Sequence, residues 1–139
     1  MGYTVASPQL TKEIRKAHQF ITFSVNTPVQ LAIAEYMTNP EHYLQLGKFY
    51  QQKRDFFLAL LRGSSFQPLP CSGSYFQLVS YSSPKSDTEM AEWMTKEHKL
   101  APIPVSAFYK DKTDNHLLRF CFAKSEETLQ KAGEILKRL

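Results

Sequence analysis

The spacing of apolar residues in the first part of the chain predicts two helices that begin at clear local signals. Ser7 and Pro8 suit the cap and first turn of a helix. The apolar residues that follow recur at helical spacing: Leu10, Ile14, Ala17 and Ile21. Thr27 as a cap, Pro28 in the first turn and Gln30 reaching back predict a second start. The pattern therefore favours a pair of helices before residue 39.

Three further helices are predicted downstream. Asn39 and Pro40 end the second helix and begin another one, which runs to about Gly63. Its apolar stripe contains Leu46, Tyr50, Phe57 and Leu61. Ser86 and Glu89 form a capping-box pattern that predicts a helix after Ser86. Ser125 opens the last helix, whose predicted buried stripe contains Leu129, Ala132, Ile135, Leu136 and Leu139.

Strand signals occur in four short segments. Residues 3–6 and 75–81 have the composition of strands. Residues 101–108 are predicted to be extended, and their two prolines suit an edge strand or a loop. In residues 117–122 the side chains alternate between two faces: Leu118, Phe120 and Phe122 on one, and Leu117, Arg119 and Cys121 on the other.

The order of these elements predicts an α+β fold. Residues 40–139 form a domain with a small sheet whose one side is covered by helices. Residues 1–39 supply a lone strand and two helices, and that strand has no obvious partner in the chain. We therefore expect the chain to begin inside a larger domain whose front part is missing.

Composition excludes several classes of protein. Of the 139 residues, 42% are hydrophobic and 22% charged, as in globular proteins, and no apolar run is long enough for a membrane span. The net charge is +4, but the basic residues are scattered, whereas a nucleic-acid binder usually concentrates them. We expect no signal peptide, and two cysteines without a framework favour a cytoplasmic protein.

Arg119 is the most informative candidate for chemistry. It lies in mid-strand between apolar neighbours, where a cation is costly to bury unless it has a partner. A guanidinium can bind a carboxylate through two parallel hydrogen bonds, which also fix its orientation. A structural salt bridge or an exposed edge position would explain the same pattern, so the spacing leaves these explanations open.

Other reactive residue types give weaker signals. Cys71 precedes a Ser-Gly-Ser turn, and no motif pairs it with a histidine base, so we interpret it as a small turn residue. The four histidines lack the spacing of metal ligands, and no metal site is predicted. Five aromatic residues suit either a pocket lining or a core: Phe20, Phe23, Tyr75, Phe108 and Tyr109.

Five segments, in this order and spacing, resemble one family over essentially the whole chain. They are Gly2-Tyr3, residues 18–30 (HQFITFSVNTPVQ), 73–76 (GSYF), 103–109 (IPVSAFY) and 118–124 (LRFCFAK). The chain is similar to the C-terminal third of class I/II aminotransferases of fold type I, in the methionine and kynurenine (glutamine) aminotransferase branch. The resemblance implies that residues 1–39 end a large cofactor-binding domain and that residues 40–139 are the small domain.

The resemblance also implies a cofactor and site residues. Such enzymes use pyridoxal 5′-phosphate, and their Schiff-base lysine would lie upstream of Gly2-Tyr3, so we expect no catalytic residue, no bound cofactor and no activity in this chain. Arg119 matches the arginine that binds the substrate α-carboxylate. Tyr75 and Phe108 would lie near the substrate, and Phe23 and Ser24 would reach the neighbouring subunit's active site in a homodimer.

The implied function is transfer of an amino group between an amino acid, methionine-like or aromatic, and a 2-oxo acid. We predict neither a nucleic-acid nor a membrane partner. The alternative is a stand-alone, non-catalytic α+β domain that binds a ligand or partner. Its strand with Phe120 and Phe122 has some likeness to an RNA-binding sheet, but the glycines of that motif are absent.

Overall fold

The computed structural model describes residues 2–139, which divide into two compact units, one ending at Gln45 and one spanning Leu46–Leu139. The first unit contains three helices: α1 (Pro8–Ile21), α2 (Thr27–Tyr36) and α3 (Glu41–Leu44). The hydroxyl of Ser7 accepts the N–H of Leu10 at 3.4 Å, so the predicted start of α1 is confirmed. The predicted division at residue 39 concerns the domains of a longer protein and stays a prediction.

Three predictions for this first unit need correction. Residues 3–6 form no strand, because no strand among the described residues pairs with them. The cap of α2 is Asn26 rather than Thr27, and its side chain accepts the N–H of Val29 at 3.1 Å. The single helix predicted from Pro40 is interrupted at Gln45, between α3 and the helix that follows. The Tyr36 hydroxyl donates a hydrogen bond to the His42 carbonyl of α3 at 2.8 Å.

The second unit has the α+β architecture that the sequence predicts. Its elements are α4 (Leu46–Leu61), β1 (Gln67–Pro68), β2 (Phe76–Ser80), α5 (Asp87–His98), β3 (Ile103–Pro104), a 3-10 helix (Val105–Phe108), β4 (Leu117–Cys121) and α6 (Glu126–Leu136). The strands form an antiparallel sheet in the order β1-β2-β4-β3. In its register, Arg119 of β4 lies between Leu78 of β2 and Ile103 of β3.

Three helices cover one face of this sheet. Val79 of β2 and Leu118 and Phe120 of β4 are buried in a core with apolar side chains of α4, α5 and α6. The helical contributors include Phe57, Leu60, Met94, Leu129 and Leu136. Helices α4 and α6 approach so closely that a Cβ on Gly133 would lie 2.8 Å from the Cβ of Leu60. Burial of this apolar surface stabilises the unit.

Local signals predict the helix ends of this unit well and its loops less well. The Ser86 hydroxyl accepts the Glu89 N–H, and a Glu89 oxygen accepts the Ser86 N–H at 2.8 Å, so the capping box is confirmed. The extended segment predicted for residues 101–108 is wrong beyond Pro104, because the chain turns there into the 3-10 helix. Strand β1 was not predicted, because two residues carry no periodic signal.

Candidate functional site

Arg119 lies on the face of the sheet opposite the core. Buried and half-buried residues alternate along β2 and β4, and Arg119 is half-buried between the buried residues Leu118 and Phe120. Its own face carries Phe76 and Leu78 of β2, because directly paired residues of antiparallel strands point to the same side. The predicted alternation in β4 is therefore confirmed, and Arg119 lies outside the hydrophobic core.

Two aromatic rings contact the guanidinium of Arg119. Its Cζ atom lies 4.0 Å from the ring centroid of Phe76 and 4.5 Å from that of Phe108. A planar guanidinium is attracted to aromatic faces by cation–π interaction and stacks well on them. These contacts restrict the orientation of the side chain without consuming its hydrogen-bond donors.

No carboxylate pairs with Arg119 among residues 2–139. Each of the four ion pairs in this part of the chain involves other side chains. The Nε atom of Arg119 is buried and has no hydrogen-bond partner there. A buried donor without a partner costs about 1–3 kcal/mol, so an acceptor at this position would be favourable. The salt-bridge explanation for Arg119 thus finds no support in the described residues.

The cleft beside Arg119 has a volume of about 430 Å³ and a mostly apolar lining whose charged residues are all cations. Arg119 lines it together with Phe76, Ile103 and Cys121 of the sheet. Lys99 and Lys124 are also part of the lining, which contains neither aspartate nor glutamate. A cleft lined by charges of one sign concentrates ligands of the opposite sign, so this one is suited to an anion.

The turn that carries Phe108 is attached to α5 by a buried carboxylate. Asp87, the first residue of α5, is 1% exposed. One of its oxygens accepts the N–H of Ser106, and the other accepts the Ser106 hydroxyl, each at 2.7 Å. Ser106 belongs to the 3-10 helix that ends at Phe108. Both donors of Ser106 are therefore used to hold the turn beside Arg119.

The charge of Asp87 is stabilised by these contacts. Burial by itself raises the pKa of the Asp87 carboxyl, but the hydrogen bonds from Ser106 and Thr88 together outweigh burial. The net pKa lies below its ordinary value. Tyr81 lies near the same group, and burial together with Asp114, Asp87 and Glu89 raises the pKa of its hydroxyl well above the ordinary value.

Comparison with known proteins identifies the family. Residues 1–136 match the family Aminotransferase class I and II. The chain belongs to the class I and II aminotransferases. It is 50% identical over 142 residues to the methionine aminotransferase of Escherichia coli (strain K12), in an alignment that covers 100% of this chain and 37% of that protein. The kynurenine–oxoglutarate transaminase 3 of Rattus norvegicus is 35% identical over 159 residues, with 99% and 35% covered.

Solved aminotransferase structures share the fold of this chain. A methionine aminotransferase from Escherichia coli superimposes with a TM-score of 0.90 at 49% identity, over 97% of this chain and 36% of that one. The N-succinyldiaminopimelate aminotransferase of Mycobacterium tuberculosis gives 0.82 at 27% identity, over 94% and 35%. The predicted family resemblance and α+β class are confirmed. The chain spans little more than a third of the length of these relatives.

The structure of this aminotransferase chain brings some predicted site residues together. Phe108 is 58% exposed and contacts Arg119, as described above. Tyr75 precedes β2 and is half-exposed, with its ring centroid 4.5 Å from that of Phe76. Tyr75 lines a separate cleft of about 540 Å³ next to Tyr50 and Arg54. Phe76 therefore contacts both Tyr75 and Arg119, although Tyr75 does not line the Arg119 cleft.

Phe23 and Ser24 lie in the first unit, between α1 and α2. Phe23 has a φ of 66° and is 82% exposed. A positive φ is uncommon for a residue with a Cβ. The N–H of Ser24 donates to the Thr22 carbonyl at 2.8 Å, so the segment is a tight turn that presents an aromatic side chain to solvent.

Other predicted features fall outside the Arg119 cleft. The thiol of Cys71 donates to the carbonyls of Gly73 and Phe76 at 3.0 and 3.3 Å, which fits a small turn residue. Residues 2–139 contain no cluster of histidine, cysteine, aspartate and glutamate side chains suited to a metal ion. Within the same range, no helix is long and apolar enough to cross a membrane.

Sequence reasoning missed the contact between Asp87 and Ser106. Asp87 directly follows the predicted cap Ser86, and Ser106 lies within the segment 103–109 that resembles the family. The available signal was an acid in the first turn of a helix, which usually reflects the helix dipole. Nothing in the sequence links two residues that are 19 positions apart.

Proposed function

We propose that this chain is the C-terminal, substrate-binding part of a pyridoxal-phosphate-dependent aminotransferase, and that Arg119 binds the α-carboxylate of its substrates. The observation that carries the proposal is a guanidinium without a carboxylate partner, whose Nε is buried and unpaired, in a cleft whose only other charged lining residues are Lys99 and Lys124. Contacts with Phe76 and Phe108 leave its donors available for a planar anion.

The proposed role is orientation as well as binding. Two parallel N–H donors of Arg119 would fix the plane of the substrate carboxylate and therefore the direction of the bonds at the neighbouring carbon. The rings of Phe76 and Phe108 would limit rotation of the guanidinium and shield it from water, which strengthens its hydrogen bonds. Lys99 and Lys124 would attract the carboxylate toward the cleft.

We infer that the described residues do not hold the cofactor by themselves. Pyridoxal phosphate, when bound, serves as the electron sink of a transaminase and is held by a lysine. Every lysine except Lys53 is exposed, and Lys53 is half-buried with its Nζ 5.6 Å from the ring centroid of Phe49. We therefore place cofactor binding in a segment outside this sequence and expect the 139-residue chain alone to be inactive.

The proposal extends to the substrate and the assembly. The names of the relatives, together with Phe76 in the cleft lining and Phe108 against the Arg119 guanidinium, favour a methionine-like or aromatic amino donor and a 2-oxo acid acceptor. Tyr75 would border the substrate side chain. The exposed turn at Phe23 and Ser24 would contact the neighbouring subunit's active site in a homodimer.

The test is substitution of Arg119 in the full-length enzyme. Hydrogen bonds to charged groups contribute roughly 1.5–3 kcal/mol each. Arg119→Ala should therefore lower kcat/KM on the order of 10² or more, since about 1.4 kcal/mol is tenfold. Arg119→Lys should recover part of the loss, because an ammonium cannot form the planar fork.

The controls separate binding from structure. The amine that lacks the carboxylate should react equally poorly with wild type and Arg119→Ala, and the cofactor should remain bound in both. Thermal unfolding is measured on the same preparations. A variant that melts earlier but keeps normal kcat/KM would contradict carboxylate binding. Turnover by the purified 139-residue chain would contradict our placement of the cofactor site.

A further inference from the structure

Asp87 carries a buried carboxylate that accepts three hydrogen bonds. Both of its carboxylate oxygens accept donors of Ser106, and its Oδ1 also accepts the Thr88 hydroxyl at 3.3 Å. The carboxylate is 1% exposed. Burial of a charge is costly unless hydrogen bonds compensate for it, so the bonds from Ser106 are a condition for placing the group there.

The anchored turn follows directly on β3, which pairs with β4, and beyond the burial of Val105 the Asp87 contact is what fixes its course. A 3-10 helix of four residues has no appreciable stability of its own. It is closed by the N–H of Tyr109, which donates to the Ser106 carbonyl at 3.0 Å. Val105 and Ser106 are buried, whereas Ala107 and Phe108 are exposed. The position of the Phe108 ring therefore follows from where the buried half of the turn is attached.

The attachment connects α5 with the guanidinium of Arg119 through one short path. Asp87 holds Ser106, Ser106 precedes Phe108 by two residues in the same turn, and the Phe108 ring lies 4.5 Å from the Arg119 Cζ. Asp87 itself does not line the Arg119 cleft. Its influence on Arg119 must therefore pass through the turn.

We propose that Asp87 is a positioning residue for substrate recognition: by binding both donors of Ser106, it holds Phe108 against Arg119 and so fixes the guanidinium for the carboxylate. The proposal rests on the carboxylate-binding function proposed for Arg119. Loss of the anchor frees the ring and leaves Arg119 with the Phe76 contact alone. Binding of the carboxylate then weakens, while groups that act elsewhere on the substrate keep their places.

The first test observes the guanidinium directly in the 139-residue chain. The Nε–H proton of Arg119 lies near two aromatic rings, so its NMR resonance is shifted by their ring currents. Phe108→Leu measures the share of that shift that Phe108 contributes. Asp87→Asn and Ser106→Ala should each remove a large part of the same share. The effects of the two substitutions should not add in the double variant, because both disrupt the same contact between Asp87 and Ser106.

A matched control is available in the same chain. Asp111 is an exposed aspartate whose Oδ1 accepts the N–H of Thr113 at 3.2 Å, within its own loop. Asp111→Asn removes a charge of the same sign without touching the Ser106 turn. It should leave the Arg119 resonance unchanged. An unchanged resonance in both Asp87→Asn and Ser106→Ala would overturn the proposal, whatever happens to the melting temperature.

The second test uses kinetics of the full-length enzyme. Asp87→Asn and Ser106→Ala should raise the KM of the amino acid about tenfold, or about 1.4 kcal/mol, with kcat changed less than KM. Should Asp87→Asn fold poorly, Ser106→Ala carries the test, since it removes a single hydroxyl. Normal KM in a folded Ser106→Ala enzyme would contradict the proposal.

The two tests keep this inference separate from the function on which it rests. If Arg119→Ala has normal kinetics, carboxylate binding by Arg119 is wrong, and the NMR result still decides whether Asp87 positions Phe108. If Arg119→Ala is impaired while Asp87→Asn and Ser106→Ala change neither the resonance nor KM, the function stands and the positioning role is wrong.

Discussion

The two units of the chain reach their structures by different physical routes. None of residues 2–45 is buried, and the exposed side chains there include Tyr3, Phe20, Ile21 and Phe23, each more than 80% exposed. Residues 46–139 contain a core whose Phe57, Val79, Leu118 and Leu136 are at most 1% exposed. The first unit therefore has helices without a core, and the second has helices that cover a sheet.

The difference shows how little a helix start signal says about stability. Ser7 and Ser86 are both N-caps whose hydroxyls accept a backbone N–H in the first turn. Helix α5 after Ser86 buries Met90 and Met94, whereas α1 after Ser7 buries no residue. Most helix stability in proteins comes from packing of an apolar face rather than from local propensity, so the two caps belong to helices of very different stability.

Hydrogen exchange tests the largest expected difference. In the monomeric 139-residue chain, amides of α1 and α2 should exchange with little protection, because no buried contact opposes opening of these helices. The opening free energies of amides in β2 and β4 should approach the global free energy of unfolding, which is about 5–15 kcal/mol for typical domains. Uniform protection across residues 3–37 would show that the first unit has a cooperative structure of its own.

A pair of phenylalanine substitutions tests the same comparison by stability. Phe57→Ala removes a side chain that is 1% exposed and should cost about 3–5 kcal/mol in the free energy of unfolding of residues 46–139. Phe20→Ala removes a side chain that is 84% exposed and should change it by less than about 0.5 kcal/mol. Urea titration measures both, and equal losses would refute the difference between the units.

Two glycines of the second unit differ in the space around them, so alanine substitutions at these positions should differ in their effect on stability. A Cβ on Gly133 would lie 2.8 Å from the Leu60 Cβ, so Gly133→Ala should destabilise by about 1–3 kcal/mol. A Cβ on Gly47 of α4 meets nothing within 4 Å, so Gly47→Ala should be neutral or stabilising by up to about 1 kcal/mol. Urea titration measures both variants, and a Gly133→Ala variant as stable as the wild type would contradict the close packing of α4 on α6.

The smallest predicted effect concerns the free energy of unfolding at low pH, to which Asp87 contributes. The pKa of Asp87 is lowered in the folded chain, so its stabilising contribution is present above the unfolded pKa of about 3.9. It is lost as the pH falls through the folded pKa. The nearby ionisable groups are Asp114, which accepts the Asp87 N–H at 3.0 Å, and Tyr81 and Glu89. Asp87→Asn should reduce the acid dependence of unfolding of residues 46–139, and an unchanged dependence would argue against a lowered pKa.

The site itself was predicted only in part. Arg119 was identified because a cation between apolar strand residues is unusual, and its alternation with Leu118 and Phe120 placed it on the face away from the core. The ring of Phe108 beside it was suggested by the family motif and is now seen at 4.5 Å. The role of each residue in binding substrate stays a prediction.

What the sequence determined by itself is local: the starts of α1, α5 and α6 at Ser7, Ser86 and Ser125, and the two faces of β4. These depend on neighbours within one helical turn or one strand. Tertiary structure alone decided that residues 3–6 remain unpaired, that the chain turns after Pro104, and that Asp87 binds Ser106. Each of these depends on whether a distant partner is present, and the free energy of such a contact is set by burial and geometry that no local pattern records.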